Sequence, residues 1–578
     1  MNIPFFDNQD KAATGVVTSI VPNSMSVDGL TFQHTGAGAS DYHTLQIDGG
    51  ATLTVDGRVG TTSNAMMLGL TTIDGVTTRA AVTGDGTLTV NSPSYDFRMT
   101  GFRHAGGVKR SALALDMSGL DTFHATVNEF LAPGGYINTT SQLTLAETNT
   151  ITADATVFCA WGGSAGAGNF VHLGQTNTLH TNKLVISGGR ASSTTEFASG
   201  LSGTPTVEIR GKAGGTSRAD LWIADQNGNA GYGSGGSSSP NGLANFTAGS
   251  IDAMLDVAIL GRNGYYASNQ PGGARATLSF NEGSIDATTI VLARTPAVSL
   301  GYDPTGYSAG EGHTRGTIHM GGGSLTVGSM MLGEVQGHGP AQWDPDHPLK
   351  RQPSTMATGT LNITGGDATV TGNVTLAHHT STGEATATGI INLSGGTLSA
   401  GSIVEGNAGS GTNVAEFNWT GGTLHVDTFG LDLLNDDPGA PGTGTGTLAP
   451  GRSIGTTSIL GDYTQGAGAT LQIEIADFDD FDFVNVTGNA DLDGTLEVIL
   501  DGYTPTIGDQ FLILHATTLE GTFAGIDDAG ATLASPGYWG LNYDYEAGDV
   551  YLHVLPEPAT MTLLALGAAC LALRRRKR

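Results

Sequence analysis

The sequence predicts an all-β protein built as a right-handed parallel β-helix, a solenoid, with a short hydrophobic helix at its C-terminal end. Three observations lead there: a composition suited to strands and tight turns, a strand-turn-strand unit repeated at uneven distances, and alternation of apolar with small polar residues inside each unit.

Composition comes first. Of 578 residues 89 are glycine and 13 % are charged, about twice and about half the usual shares. Thr and Val favour strands, while Gly and Asn favour tight turns, so this mixture serves helices poorly. At 38 % apolar content the chain is too hydrophobic for a disordered linker. With 24 basic against 53 acidic residues, the net charge of −29 opposes binding to phosphate backbones, and no nucleic-acid partner is expected. The two cysteines, Cys159 and Cys570, exclude a disulfide framework. Cys159, within Val157-Phe158-Cys159-Ala160-Trp161, reads as a small core residue rather than a nucleophile. The opening Met1-Asn2-Ile3-Pro4-Phe5-Phe6-Asp7 has neither the basic nor the apolar region of a secretory leader. Strand patterning begins by Met25, so the start is expected to be incomplete.

The repeat is clearest in the middle of the chain. An apolar-x-apolar triplet, a Gly pair or its substitute, and a second apolar landmark recur from Ala244-Asn245-Phe246 to Ile251, Leu278-Ser279-Phe280 to Ile285, and Ile318-His319-Met320 to Leu325. They recur again from Leu361-Asn362-Ile363 to Ala368, Ile391-Asn392-Leu393 to Leu398, and Phe417-Asn418-Trp419 to Leu424. The landmarks are always seven residues apart, whereas the copies are separated by 34, 40, 43, 30 and 26 residues. A unit of fixed length is being stacked, with variable loops between copies. Such units cannot bury a face alone and must cover one another. Gly365-Gly366, Gly395-Gly396 and Gly421-Gly422 are expected at corners that need positive φ. A propeller would require four strands per blade, which a 26-residue unit scarcely holds. The stretch from about Thr150 to Ser239 is less regular, and Asn227 to Asn241 reads as an exposed loop. This repeat body is assigned to residues 1–435, followed by a Gly/Pro-rich break at 436–446.

The next region, 447–554, contains Leu448-Ala449-Pro450-Gly451-Arg452-Ser453-Ile454-Gly455, Gly461-Asp462-Tyr463-Thr464 and Phe481-Asp482-Phe483-Val484-Asn485-Val486-Thr487-Gly488. It continues through Gly494-Thr495-Leu496-Glu497-Val498 and Gly508-Asp509-Gln510-Phe511-Leu512-Ile513-Leu514 to Gly521-Thr522-Phe523. This order resembles the end of autotransporter-passenger β-helices. The resemblance implies fold and export, not an activity. No alternating-strand barrel region follows in this sequence.

Instead, residues 555–578 place Pro556-Glu557-Pro558 before an apolar run, 559–573, and a basic end, Arg574-Arg575-Arg576-Lys577-Arg578. The prolines terminate preceding structure, and the basic cluster holds its end on the cytoplasmic side. Fifteen residues, Ala559 to Leu573, make a helix of about 22 Å against an apolar membrane core of about 30 Å, which suits a transient sorting signal better than a permanent anchor. The three parts resemble the PEP-CTERM signal. That resemblance implies an exosortase-type processing enzyme as partner, passage through the inner membrane, and export to the cell surface or beyond.

Variable segments collect at one place in each unit and would project side by side. They carry Tyr265, Tyr266, Tyr302, Tyr307 and Trp343, candidate glycan contacts, among Arg262, Arg294 and Arg315. Trp343-Asp344-Pro345-Asp346-His347-Pro348-Leu349-Lys350-Arg351 brings acid, base and cation together as a polysaccharide lyase would need, but nothing fixes their geometry and a solvated loop is the preferred reading. His378 and His379 should point opposite ways along a strand. Asp477, Asp479, Asp480 and Asp482 lack the ordered spacing of a calcium loop and read as a turn, with Asp482 bonding backbone amides. No cofactor, catalytic residue or metal site is assigned.

The expectation is therefore a non-enzymatic, exported structural or adhesive protein of the cell surface or exopolysaccharide matrix. A β-helix that binds or degrades polysaccharide is the alternative. Ice binding, also associated with tails of this kind, ranks below it because the pairs Thr326-Val327, Thr369-Val370 and Ser399-Ala400 change identity instead of forming Thr-x-Thr rows.

Overall fold

Alternating apolar residues drive the chain into strands that must bury one face, and a computed structural model shows how they do so. It describes residues 5–7, 17–33, 43–69, 78–101, 112–135, 140–160, 168–189, 192–225, 240–262, 273–295, 313–336, 356–380, 385–409, 411–437, 439–452, 454–528, 530, 533 and 537–557. Forty strands and no helix occur among these residues. They fall into two compact units, one of residues 1–392 and 405–417, the other of 393–404 and 418–578.

The first unit is the expected parallel β-helix. Each coil begins with a short strand, turns a corner, and continues into a longer strand. Short strands Asn241–Asn245, Arg275–Phe280, His313–Met320 and Met356–Ile363 pair in that order, all parallel. Long strands Ser250–Arg262, Gly283–Thr295, Ser324–Val335 and Asp367–His379 do the same. Ser279 stands opposite His319 and His319 opposite Asn362, so the polar residues of the triplets form an outer row. Within it the Asn392 amide donates to the Asn362 oxygen at 2.6 Å. Leu278, Ile318 and Leu361 share one buried column, and Ile285, Leu325 and Ala368 share another.

One sequence expectation is corrected. Ile251 pairs with Gly283, and it is Ala253 that meets Ile285. The corner through Thr247 to Ser250 is thus two residues longer than in the following coils, and the seven-residue spacing at Ile251 is a coincidence of pattern. The expected Gly-pair corners are real: Gly366 has φ +78, and a Cβ there would lie 2.4 Å from the Gly323 carbonyl oxygen, so only glycine fits.

The stretch that looked irregular in sequence is stacked like the rest, strand Thr148–Ala160 pairing with Thr176–Gly188. Its pattern is obscured because asparagine occupies interior positions. The Asn149 amide donates to the Ala146 carbonyl at 2.7 Å and to the Asn177 oxygen at 3.0 Å. Asn177 in turn donates to the Gly174 and Thr206 carbonyls at 2.8 and 2.9 Å. Buried amides whose bonds are made in this way can replace apolar side chains without leaving polar atoms unsatisfied. Further toward the start, Phe97 and Phe130 stack at 4.3 Å between ring centres, with Phe123 and Phe158 edge-on or tilted beside them.

The second unit also stacks parallel strands, as in Thr470–Asp477 on Thr495–Leu500 and Phe483–Leu492 on Gln510–Gly521. It then changes sense: Asp549–Pro556 pairs antiparallel with both Gln510–Gly521 and Gly537–Asp544. Trp419, Tyr463 and Phe511 are fully buried here. The Tyr463 hydroxyl donates to the Gln465 side chain at 2.8 Å, and Gln465 donates to the Ala469 and Thr495 carbonyls.

The Gly/Pro-rich break is an ordered turn around one carboxylate. Asp436 accepts amide hydrogens from Asp437, Gly442 and Gly444 at 2.7–3.0 Å. Burial works to raise its carboxyl, but those amides prevail and hold it below the usual carboxylate range.

Candidate functional site

Register makes every coil repeat the backbone of its neighbour, and one corner of the first unit repeats an expensive one. Cys159, Ser187, Ala224, Gly261, Ala293, Gly333 and Ala377 occupy the same position in seven successive coils. All are left-handed, with φ between 54 and 76°. For a residue with a side chain this costs about 1–2 kcal/mol, and the in-register ladders on either side hold it. Cys159 is accordingly structural in its surroundings: it is buried, and burial pushes its thiol up to about 12, away from the thiolate needed for nucleophilic chemistry.

The next residue in each coil emerges from this corner; after Ala160 and Gly188 in the first two coils it is charged or polar in the other five, a column of Asp225, Arg262, Arg294, Glu334 and His378. Two neighbouring guanidinium groups are flanked by one carboxylate on each side. Arg262 holds Asp225 through two bonds of 2.7 Å, Arg294 holds Glu334, and the Gln336 amide donates to Glu334 at 2.7 Å. Trp222 lies against this column, with the Lys183 ammonium 4.0 Å and the Arg262 guanidinium 4.4 Å from its ring centre. Sequence reading named Arg262 and Arg294 as loop cations but missed their partners, which lie 37 and 40 residues away. A readable signal existed in the recurring Leu-small-polar triplets Leu260-Gly261-Arg262, Leu292-Ala293-Arg294, Leu332-Gly333-Glu334 and Leu376-Ala377-His378.

This column marks the roots of the variable segments. The candidate glycan contacts Tyr265, Tyr266, Tyr302, Tyr307 and Trp343 lie outside the described residues, as do Trp343 to Arg351 and most of Asn227 to Asn241. The two histidines diverge as expected. His378 Nδ1 accepts the Asn407 amide, whereas His379 is buried with Nε2 facing the Thr412 carbonyl at 3.2 Å. In the acidic cluster, Asp477, Asp479 and Asp480 are exposed, but Asp482 turns inward and accepts amide hydrogens from Gly455 and Glu474 at 2.7 and 2.9 Å. Burial pushes its carboxyl up to about 6, opposed by those amides and reinforced by the neighbouring Glu474 and Asp480 charges.

The second unit ends at the predicted sorting signal. Strand Asp549–Pro556 places Leu555 opposite Tyr538 and Pro556 opposite Gly537. Pro556 and Glu557 are exposed. Pro558, the expected helix at 559–573 and the basic residues Arg574, Arg575, Arg576, Lys577 and Arg578 lie outside the described residues. Among the described residues no helix is long and apolar enough to cross a membrane.

Residues 554–577 match the family model of the PEP-CTERM protein-sorting motif. The match begins at Val554, inside the last strand, and takes in every residue of the predicted signal except Arg578. A motif of this kind implies an exported protein sorted by an exosortase to the cell surface. No curated protein matches the chain.

Proposed function

We propose that the protein is a non-catalytic structural or adhesive component of the cell surface or exopolysaccharide matrix, delivered there by its tail. The observation that supports this reading most directly is the direct junction between a repetitive β body and the motif: Pro556 is still paired in the final strand while the motif is under way. In this reading residues 559–573 enter the inner membrane transiently, and Arg574 to Arg578 keep their end in the cytoplasm. An exosortase-type enzyme then cuts near Pro556-Glu557-Pro558, and the looped edge of the first unit contacts polysaccharide through Tyr265, Tyr266, Tyr302, Tyr307 and Trp343. Aromatic rings beside arginines can stack on sugar rings while the ladder beneath keeps the loop roots fixed.

Intact-mass measurement of the extracellular protein tests the sorting step. A product lacking Arg574 to Arg578 is expected, and one that retains them would refute it. Replacing those five residues with neutral ones should leave precursor unprocessed. Retention on extracellular polysaccharide, compared between the parent and a Tyr265→Ala/Tyr302→Ala/Trp343→Ala variant of unchanged β-sheet circular dichroism, tests the contact. Turnover of the glycan by the parent would favour the enzymatic alternative.

A further inference from the structure

One outward column of the first unit is threonine in six successive coils. Thr52, Thr87, Thr122, Thr148, Thr176 and Thr206 stand in direct register. Two residues further along the same strands the column reads Thr54, Thr89, His124, Thr150, Thr178 and Glu208, and a third column adds Thr126 and Thr152. The intervening Leu53, Leu88, Phe123, Asn149, Asn177 and Val207 are buried. Strand alternation therefore turns the threonines outward together.

Two properties separate this face from an ordinary preference of threonine for strands. None of these twelve hydroxyls bonds another protein group among the described residues, whereas elsewhere threonines bond back to the backbone, as Thr517 does to the Thr487 carbonyl at 2.7 Å. The first column also carries no ionisable group from Thr52 to Thr206, in a chain of net charge −29. Charge returns at the far border, where His180 meets Glu208 at 2.9 Å and Arg210 meets Asp252 at 2.6 Å.

Parallel strands fix the repeat of this grid at about 4.8 Å between coils and about 6.6 Å along each strand. A grid of hydroxyls and methyls that repeats in two dimensions complements a periodic surface better than a flexible solute, whose polar groups cannot meet it at every node. Polysaccharide platforms use aromatic faces or carboxylates, and the aromatic residue under this face, Phe123, is buried. An uncharged solid whose surface repeats hydrogen-bonding oxygens in two dimensions complements such a grid, and crystalline water is one that needs no aromatic platform. We infer that the threonine face, Thr52 to Thr206, binds ice. Methyl groups confine water between the columns and hydroxyls anchor it, so that the ordered layer joins the crystal. The pairs that ranked this reading last, Thr326-Val327 and Thr369-Val370, belong to other coils, where the outward column runs Met254, Asp286, Thr326 and Thr369.

This inference rests on the β-helix and not on the sorting tail, so either can fail alone. The full chain should partition into slowly growing ice and inhibit recrystallisation. A T150K/T178K variant should lose at least tenfold of its ice retention, while T326K/T369K, on the same helix outside the grid, retains it. Circular dichroism and melting establish that each variant folds. If the lysine pair unfolds, the near-isosteric T150V/T178V variant decides: weakened ice retention supports the hydroxyl anchor and unchanged retention overturns it. Exclusion of the parent from ice overturns the inference, as does equal loss in the T326K/T369K variant. So does binding of the parent to crystalline cellulose or chitin, but not ice, with that binding lost in T150K/T178K.

Discussion

Replacing Arg262 by Met tests whether the ladder at the looped edge holds the first unit together. The substitution keeps an unbranched stem and removes the guanidinium, which leaves Asp225 without its two 2.7 Å bonds to this partner. Only 1 % of the Asp225 side chain is exposed, so water cannot replace them. Removing one member of a buried pair costs about 3–5 kcal/mol, and loss of the contact with Trp222 adds about 1 kcal/mol. The internal control is Arg452→Met in the second unit. Its pair with Asp427 is 3.1 Å long and both side chains are more than one third exposed, so its loss should cost below about 1 kcal/mol. Guanidinium unfolding followed by circular dichroism gives the totals. Since stacked repeats can open locally, hydrogen exchange at Ile223 and Leu260 should show the protection lost around Asp225. Adding Asp225→Asn to Arg262→Met should recover part of the loss, because the buried carboxylate that has lost its guanidinium is then neutral. If Arg262→Met costs no more than Arg452→Met, the ladder is decoration and the reasoning fails.

Two further outcomes follow from the same geometry. Gly333→Ala should destabilise by about 2–4 kcal/mol through its left-handed backbone and the resulting overpacking, since the new Cβ would lie 2.2 Å from the Thr388 carbonyl oxygen. Ala293→Gly, in the same column at φ 64, relieves strain but loosens the unfolded chain, and should stay within about 1 kcal/mol of the parent; melting curves compare them. For pH, Asp436 is held below the usual carboxylate range, so its contribution is present above the unfolded pKa of about 4 and is lost as pH falls through the folded value. Asp482, pushed up to about 6, works the other way. Stability should decline by about 2–3 kcal/mol as pH rises from about 4 to 6, then level off. Unfolding titrations from pH 3 to 8 should show Asp482→Asn removing that decline and Asp436→Asn removing the loss on the acid side.

Alternation and glycine pairs revealed the solenoid because both are local signals, and in the repeats that begin at Leu278, Ile318 and Leu361 they also located the register. Ile251 failed because an apolar residue seven positions on satisfies the pattern whether or not the corner contains two extra residues. The left-handed column was hidden for a different reason. Ala293, Ala377, Ser187 and Cys159 do not advertise positive φ; their backbone is imposed by neighbours in space. Asp436 shows the same limit in a turn, where composition reads as a loose break and one buried carboxylate orders it. The ladder and the threonine columns are sums over coils of unequal length. Steps of 35, 35, 26, 28 and 30 residues separate Thr52 to Thr206, so no fixed period lines them up.

That unevenness has a physical use. Insertions leave each coil after the left-handed corner, as in the step from Ala293 to the next short strand at His313, and their length never enters the ladder. Thr148 and Thr150 begin the strand that ends at Ala160, beside Cys159 in the corner column. One strand thus supplies a regular outward face at its start and a loop root at its end. A parallel β-helix can therefore vary its looped edge without disturbing the lattice of its opposite strand segment, since added loop residues change the chain path between coils but not the pairing of Thr148 with Thr176. Regularity in the threonine columns and irregularity in the loops are two consequences of the same register.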